Sequence, residues 1–311
     1  MSSRCAERHR QRGTAVIMAM LTVALATGLA AAAVAAVDAA IDAAAGRRDQ
    51  AQARLLARGA IDWARNVLAD DAMTSSADHL LEPWAIRVPP TPVGDPGSDA
   101  HGELSGEIVD LSGRFNLNNL APEGRSDRQA ALAFARLLVM LEVPPPRAVA
   151  LAERLQDAID ADRTGADGRG GEPAGLPDAP LLQLEELGRL PGFDAALLRR
   201  LQPFVTALPA PSRINVNTAP AEVLAAAIEG LELEAARSLV ARRRTAWARD
   251  LADFARLLPD DAEPPDPRRL GVASTHFLVT GRARHGLSMV RLEALLERTE
   301  TWPEILWQRL P

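Results

Sequence analysis

Arg8-His9-Arg10-Gln11-Arg12-Gly13, running into Thr14-Ala15-Val16-Ile17-Met18-Ala19-Met20-Leu21 and on to Val37, is the stretch that decides the fold. Thr14 to Val37 is 24 residues without a formal charge. About 20 apolar residues cross the hydrocarbon of a bilayer, so this stretch predicts a membrane-spanning helix. Arg4, Arg8, Arg10 and Arg12 lie just before it. Basic residues stay on the cytoplasmic side, which puts the N-terminus inside and everything after Val37 outside the inner membrane. The helix has no reason to stop there. Asp38 to Asp71 holds no proline, and Leu55, Leu56, Trp63, Val67 and Leu68 recur near a helical period. Residues 14–71 therefore read as one helix of roughly 85 Å at about 1.5 Å per residue. Its first part lies in lipid (14–37), and its second is an amphipathic stem whose apolar stripe faces a globular domain.

Basic residues, one glycine, then an uninterrupted apolar helix resembles a type IV prepilin leader. That resemblance implies cleavage by a prepilin peptidase between Gly13 and Thr14, with N-methylation of Thr14 and retention of the apolar helix. A secretory signal would instead lose its apolar region. The Ala30 to Ala36 run offers A-x-A sites for that alternative, but a signal peptide gives no reason for the helix to continue.

Composition bounds the rest. The chain has 311 residues and 47% hydrophobic content, enough for more than one core. All 35 basic residues are Arg, and the formal charge is −6. A chain beginning at Thr14 carries −9, which opposes binding to nucleic acid or anionic lipid. Cys5 is the only cysteine, so a chain without the first 13 residues has no disulfide and no thiolate metal site. The five histidines show no ligand spacing, and no catalytic triad is suggested.

After the stem, Pro89 to Gly102 reads as a loop. Glu103 to Leu111 reads as a strand. The chain from about Leu120 to Leu258 is mostly helical text. Phe277 to Thr280 reads as a returning strand; Ser288 to Leu296 fits a strand or a helix. Strands flanking a helical block predict an α+β fold, with a long N-terminal membrane helix, a small antiparallel sheet and a large all-α insertion. The expected parts are a leader (1–13), the helix (14–71), a sheet domain (72–118 and 273–311), and an insertion in two pieces (119–212 and 213–272). An internal echo joins the pieces: Gly113-Arg114-Phe115-Asn116-Leu117-Asn118-Asn119 against Ser212-Arg213-Ile214-Asn215-Val216-Asn217-Thr218. Each precedes a proline and a helix, as N-capping side chains do.

Those residues carry a family resemblance. Asp110-Leu111-Ser112-Gly113-Arg114-Phe115-Asn116-Leu117-Asn118-Asn119-Leu120 resembles the signature of the minor pseudopilin K of type II secretion. Arg213-Ile214-Asn215-Val216-Asn217-Thr218-Ala219-Pro220 resembles that family's second Asn-rich motif, which marks Arg114, Asn116, Asn118, Asn215 and Asn217 as motif residues. Gln183 to Leu187 and Gly192-Phe193-Asp194 resemble the segment between. The resemblance implies a pseudopilin fold, no enzymatic activity, and a place at the pseudopilus tip. Implied partners are the minor pseudopilins I and J, then H, the major pseudopilin G, the prepilin peptidase and the inner-membrane secretion platform. Most pseudopilins carry Glu at the fifth position after the cleavage glycine. Here that position is Met18, as the family's tip location implies, since no subunit above supplies an amine.

Asp157-Ala158-Ile159-Asp160-Ala161-Asp162 and the following Gly-rich run to Glu172 place oxygen side chains as Ca²⁺ prefers them. Counting from Asp160, Glu172 falls at the thirteenth place, which excludes an EF-hand. The stretch resembles the family's calcium segment, with Ala158 in place of its Trp and no Ala between Gly171 and Glu172. The expected ligands are Asp160, Asp162 and Glu172, with Asp157 and Asp167 as further donors. The alternative reading is a membrane-anchored helix-hairpin-helix module of the competence type that binds DNA. Ile214 to Ala219 resembles the start of such domains, and Leu190-Pro191-Gly192-Phe193 suits a hairpin turn.

Overall fold

The computed structural model describes residues 4–94, 102–163 and 180–310. Helix α1 (Arg4–Thr74) comes first. Strands β1 (Val88–Val93), β2 (Gly102–Asp110) and the two-residue β3 (Phe115–Asn116) follow. Helices α2 (Arg128–Met140), α3 (Pro145–Arg163) and α4 (Ala195–Leu201) come next. The chain continues through β4 (Val205–Thr206), β5 (Ile214–Asn215), α5 (Ala221–Ala227), α6 (Leu233–Arg243) and α7 (Leu251–Ala255). It closes with β6 (Leu270–Gly271), β7 (His276–His285), β8 (Ser288–Glu297) and β9 (Glu304–Arg309).

α1 passes through Gly13 and Val37 without a break and ends three residues beyond the expected Asp71. Its large side chains from Val16 to Ile41 are all exposed. Docking begins at Asp49, which reaches the β7–β8 turn: its Oδ2 accepts from Leu287 N at 3.3 Å. Gly286 takes a positive φ in that turn, and a Cβ there would strike the Asp49 carboxylate. The face that docks overlaps the expected stripe only in part: Leu56, Val67 and Leu68 pack on the sheet, but Leu55 and Trp63 do not. Ala53, Ala57, Ala60, Ile61, Ala64 and Leu68 are buried, while Leu55 and Trp63 are half exposed. Alanine brings the helix axis close to the sheet, and the larger residues lie to the sides. The buried residues pack on Ile108, Phe277, Val279, Ala283, Val290, Leu292, Ala294 and Leu296 of the sheet.

The sheet is antiparallel in the order β1-β2-β7-β8-β9. Ser288–Glu297 is a strand, not a helix, because its alternate residues Val290, Leu292 and Ala294 all face α1. Two edge strands escaped the sequence reading. β1 lies inside the expected Pro-rich loop; proline donates no hydrogen bond, so it survives in a sheet only at an edge. The register shifts between Val88 and Thr91, across Pro89 and Pro90. β9 is mostly exposed, and its apolar residues Ile305, Leu306 and Trp307 are consecutive, so its sequence shows no alternation.

β2 and β7 pair along their length, with Asp110 opposite Phe277. Residues 111–275 thus leave and re-enter at neighbouring strand ends, and they build their own core around Phe134, Leu137, Leu151, Leu155, Leu224 and Leu239. The two insertion pieces close in the same way. β3 pairs in parallel with β4, and β5 pairs in parallel with β6.

Candidate functional site

Both Asn-rich motifs converge on the seam between sheet and insertion. In each, the first Asn turns back on its own chain. Asn116 Oδ1 accepts from Asn118 N at 3.2 Å, and Asn215 Oδ1 accepts from Asn217 N at 2.9 Å. The short polar side chain takes a backbone donor at the helix entry, as an N-cap does. The second Asn then clips a distant segment. Asn118 Nδ2 donates to the carbonyls of Leu181 and Leu208 at 2.8 and 2.6 Å, and its Oδ1 accepts from Leu181 N. Asn217 pairs reciprocally with Ala248, both bonds being 2.9 Å. All four Asn are buried, so their full set of partners is what makes them tolerable there.

The motifs differ in what else they hold. Asn116 stays within the insertion, donating to Ala210 O and Ser212 Oγ and accepting from Leu208 N. Asn215 reaches out to the sheet domain. Its Nδ2 donates to Asp78 O at 3.0 Å and Ser274 Oγ at 2.7 Å, and its N–H donates to Ser112 O. The motifs also touch each other. A Cβ on Gly113 would sit 2.6 Å from Thr218 Oγ1 and about as close to backbone, so only glycine fits. Arg114, half-buried, donates to Gln202 O at 3.2 Å.

Asp110 is the hub of this seam. Its Oδ2 accepts from Thr218 Oγ1 at 2.5 Å and Ser274 Oγ at 2.6 Å, and its Oδ1 accepts from Ser112 N. Burial pushes its pKa up to about 6, against the opposing pull of those hydrogen bonds. Asp78 takes Ser274 N on one oxygen and Arg298 on the other. Arg298 also donates to Asp71 at 3.0 Å. Sequence reading missed Asp71, Asp78, Ser274 and Arg298. Arg298 and Asp78 lie 220 residues apart, and nothing local marks either.

The expected calcium donors are only partly within the described residues. Asp157 and Asp160 lie one turn apart at the C-terminal end of α3, beside buried Ala158 and Ile159. Asp160 Oδ2 accepts from Ser126 Oγ at 2.7 Å. Asp162 is in the last turn of α3, and Asp167 and Glu172 lie outside the described residues. Gly13 and Thr14 lie within α1, far along the helix from this seam.

The Leu190-Pro191-Gly192-Phe193 turn packs on α3, where Arg154 donates to Pro191 O at 2.6 Å. Gly192 has a positive φ, but a Cβ there would meet Leu151 at 2.7 Å, and its carbonyl accepts from Arg147. A second such turn at Gly230, between α5 and α6, was not foreseen. It packs against Asp261, and Glu229 O accepts from Glu263 N.

Models of the family described as type II secretion system protein K match residues 113–210 and 214–273, the two self-closing pieces of the insertion. A type II secretion system protein K from Klebsiella pneumoniae is 33% identical, with 93% of each chain covered. The chain belongs to the type II secretion system protein K family. Another family member, from Pseudomonas aeruginosa, is 31% identical over 94% of this chain and 90% of its own. In fold, the chain matches one in the crystal structure of the GspK-GspI-GspJ complex from the enterotoxigenic Escherichia coli type 2 secretion system. The TM-score is 0.67 at 23% identity, covering 86% of this chain and 98% of that one. The pseudopilin reading of the fold therefore holds: a long apolar N-terminal helix, an antiparallel sheet and a helical insertion.

Proposed function

We propose that this chain is the tip subunit of a type II secretion pseudopilus, initiating assembly and so helping folded proteins cross the outer membrane. The observation that carries the reading is the insertion of residues 111–275, which springs from one end of the sheet and is larger than the sheet domain that bears it. Such a mass crowds a filament interior but is free of neighbours at its end. Met18 agrees with that place, since it offers no carboxylate to a subunit above. The partners that follow are the minor pseudopilins I and J, as in the complex named for the Escherichia coli relative. Contacts with H, the major pseudopilin G and the secretion platform belong to the same reading.

In this reading prepilin peptidase cuts between Gly13 and Thr14, the N-terminus lies in the cytoplasm and the sheet domain in the periplasm. The protein works mechanically and not as an enzyme. Ca²⁺ is held by Asp160, Asp162 and Glu172, with Asp157 and Asp167 assisting, and ties down the segment after α3. The division into leader, helix, sheet domain and two insertion pieces belongs to the same proposal.

Co-purification of the domain from Asp49 onward with the I and J domains is expected to give a ternary complex. Its absence, together with normal secretion in a deletion strain, rules the reading out. N-terminal sequencing of the membrane-bound form is expected to start at Thr14; a start near Asp38 marks a signal peptide. Calorimetry is expected to show Ca²⁺ binding that weakens in Asp162→Ala.

A further inference from the structure

We infer that the cleft around Arg114, where the end of the stem, the sheet and both insertion pieces meet, docks a protein segment that presents one carboxylate among apolar side chains. This rests on the tip-complex reading, and the segment belongs to the minor pseudopilins I and J proposed as partners. The cleft has a volume of about 270 Å³. Leu80 reaches it from the chain just after α1, and Val109 from β2. Arg114 comes from the turn before β3, Pro203 from the link between α4 and β4, and Pro220 from the start of α5.

Arg114 is a guanidinium in want of an anion. It is half-buried, and among the described residues it forms no ion pair; its hydrogen bond goes to a carbonyl, Gln202 O, at 3.2 Å. Burial lowers its pKa, and Asp110 pulls the other way. Asp110 has its oxygens committed elsewhere, to Ser112 N, Thr218 Oγ1 and Ser274 Oγ. Arginine keeps its charge in proteins and carries five donors, so one carbonyl leaves most of the fork unused. A planar fork of that kind matches a carboxylate or a phosphate. Asp110 in the cleft wall, and the acidic chain as a whole, oppose the more highly charged phosphate.

The rim asks for apolar company. Leu80 is 52% exposed, and Leu81 and Ile86, which flank buried Trp84 in sequence, are exposed as well. Pro203 is exposed on the insertion side of the same cleft. Large apolar side chains gathered at a surface mark an interaction site. A charge ringed by apolar contacts is the layout of an interface anchor, because the ring excludes water from the pair within it. An occupant here touches the stem end, the sheet and the insertion at once, so docking also fixes the insertion on its mount.

Titration of the full chain in detergent with the purified I and J domains tests it. Arg114→Gln removes the charge. Leu80→Asp, at an exposed position, sets a carboxylate of the chain's own beside Arg114. Each is expected to weaken the ternary complex about tenfold or more, the scale of one lost hydrogen bond to a charged group, while circular dichroism stays native. Added salt should weaken the native complex and leave the Arg114→Gln complex nearly unchanged. Should Arg114→Gln fail to fold, Leu80→Asp and the salt dependence of the native complex decide. Native affinity in either folded variant overturns the docking site and leaves the tip reading standing, and a native complex indifferent to salt does the same. No complex with the native chain removes the tip reading and this site together.

Discussion

The first Asn motif and the second are near copies in sequence and in local geometry, yet they hold different things. Asn116 and Asn118 tie the first insertion piece to its own return segment at Leu181, Leu208 and Ala210. Asn215 ties the second piece to Asp78, just beyond α1, and to Ser274, where the chain re-enters the sheet. One motif closes a unit; the other mounts it. The same Asn chemistry serves both because a primary amide has donors and an acceptor to spare after capping its own turn. What differs is only what the fold brings opposite.

That contrast breaks most sharply at Arg298. Arg298→Ala leaves buried Asp71 and Asp78 without their cation and is expected to lower stability by about 3–5 kcal/mol. Hydrogen exchange should rise first where α1, Asp78 and β8 meet, with α2 and α3 still protected. Uniform loss of protection would mean that seam and insertion are one cooperative unit.

A loss of about 3 kcal/mol is expected across the titration of Asp110, from a pKa difference of about two units at 1.36 kcal/mol each. Its native pKa of about 6 lies above the ordinary 3.8 because burial disfavours the charge. The native state therefore keeps the proton longer than the unfolded chain. This contribution is full below about pH 3.8 and is lost as pH rises through about 6. Urea unfolding between pH 4 and 7, native minus Asp110→Asn, should show that slope. A flat difference would remove Asp110 from its place as hub.

The paired Asn variants sharpen the contrast further. Asn118→Ala and Asn215→Ala each strand buried backbone groups and are each expected to cost about 1–3 kcal/mol. Their exchange patterns should separate, with Asn118→Ala exposing α2 and α3, and Asn215→Ala exposing the ends of β2 and β7. Identical patterns would abolish the distinction between closing and mounting. The smallest effect is expected at Asp49→Ala, at most about 1 kcal/mol by thermal unfolding, since its contacts at the β7–β8 turn are partly exposed.

Much of this was legible in the sequence for physical reasons. An uncharged run as long as Thr14–Val37 has few other uses, and the Asn echo announced two helix entries of one kind. The edge strands were not legible, since β1 is written in prolines and β9 in exposed residues. The docking face of α1 was legible at Leu56, Val67 and Leu68 and misread at Leu55 and Trp63, because burial there follows small residues such as Ala57 and Ala64. The seam itself combines Asp78, Ser274 and Arg298 from segments that are neighbours only after folding.

The unbroken course of α1 has a mechanical consequence. The membrane span and the core of the sheet domain belong to one rod, with no loop between them. Force applied along the anchor therefore arrives at the sheet undiminished by slack. It acts parallel to the alanine-lined contact, from Ala53 to Leu68, and loads those contacts together as shear. A load shared along four turns of helix resists far more than one that peels contacts in sequence.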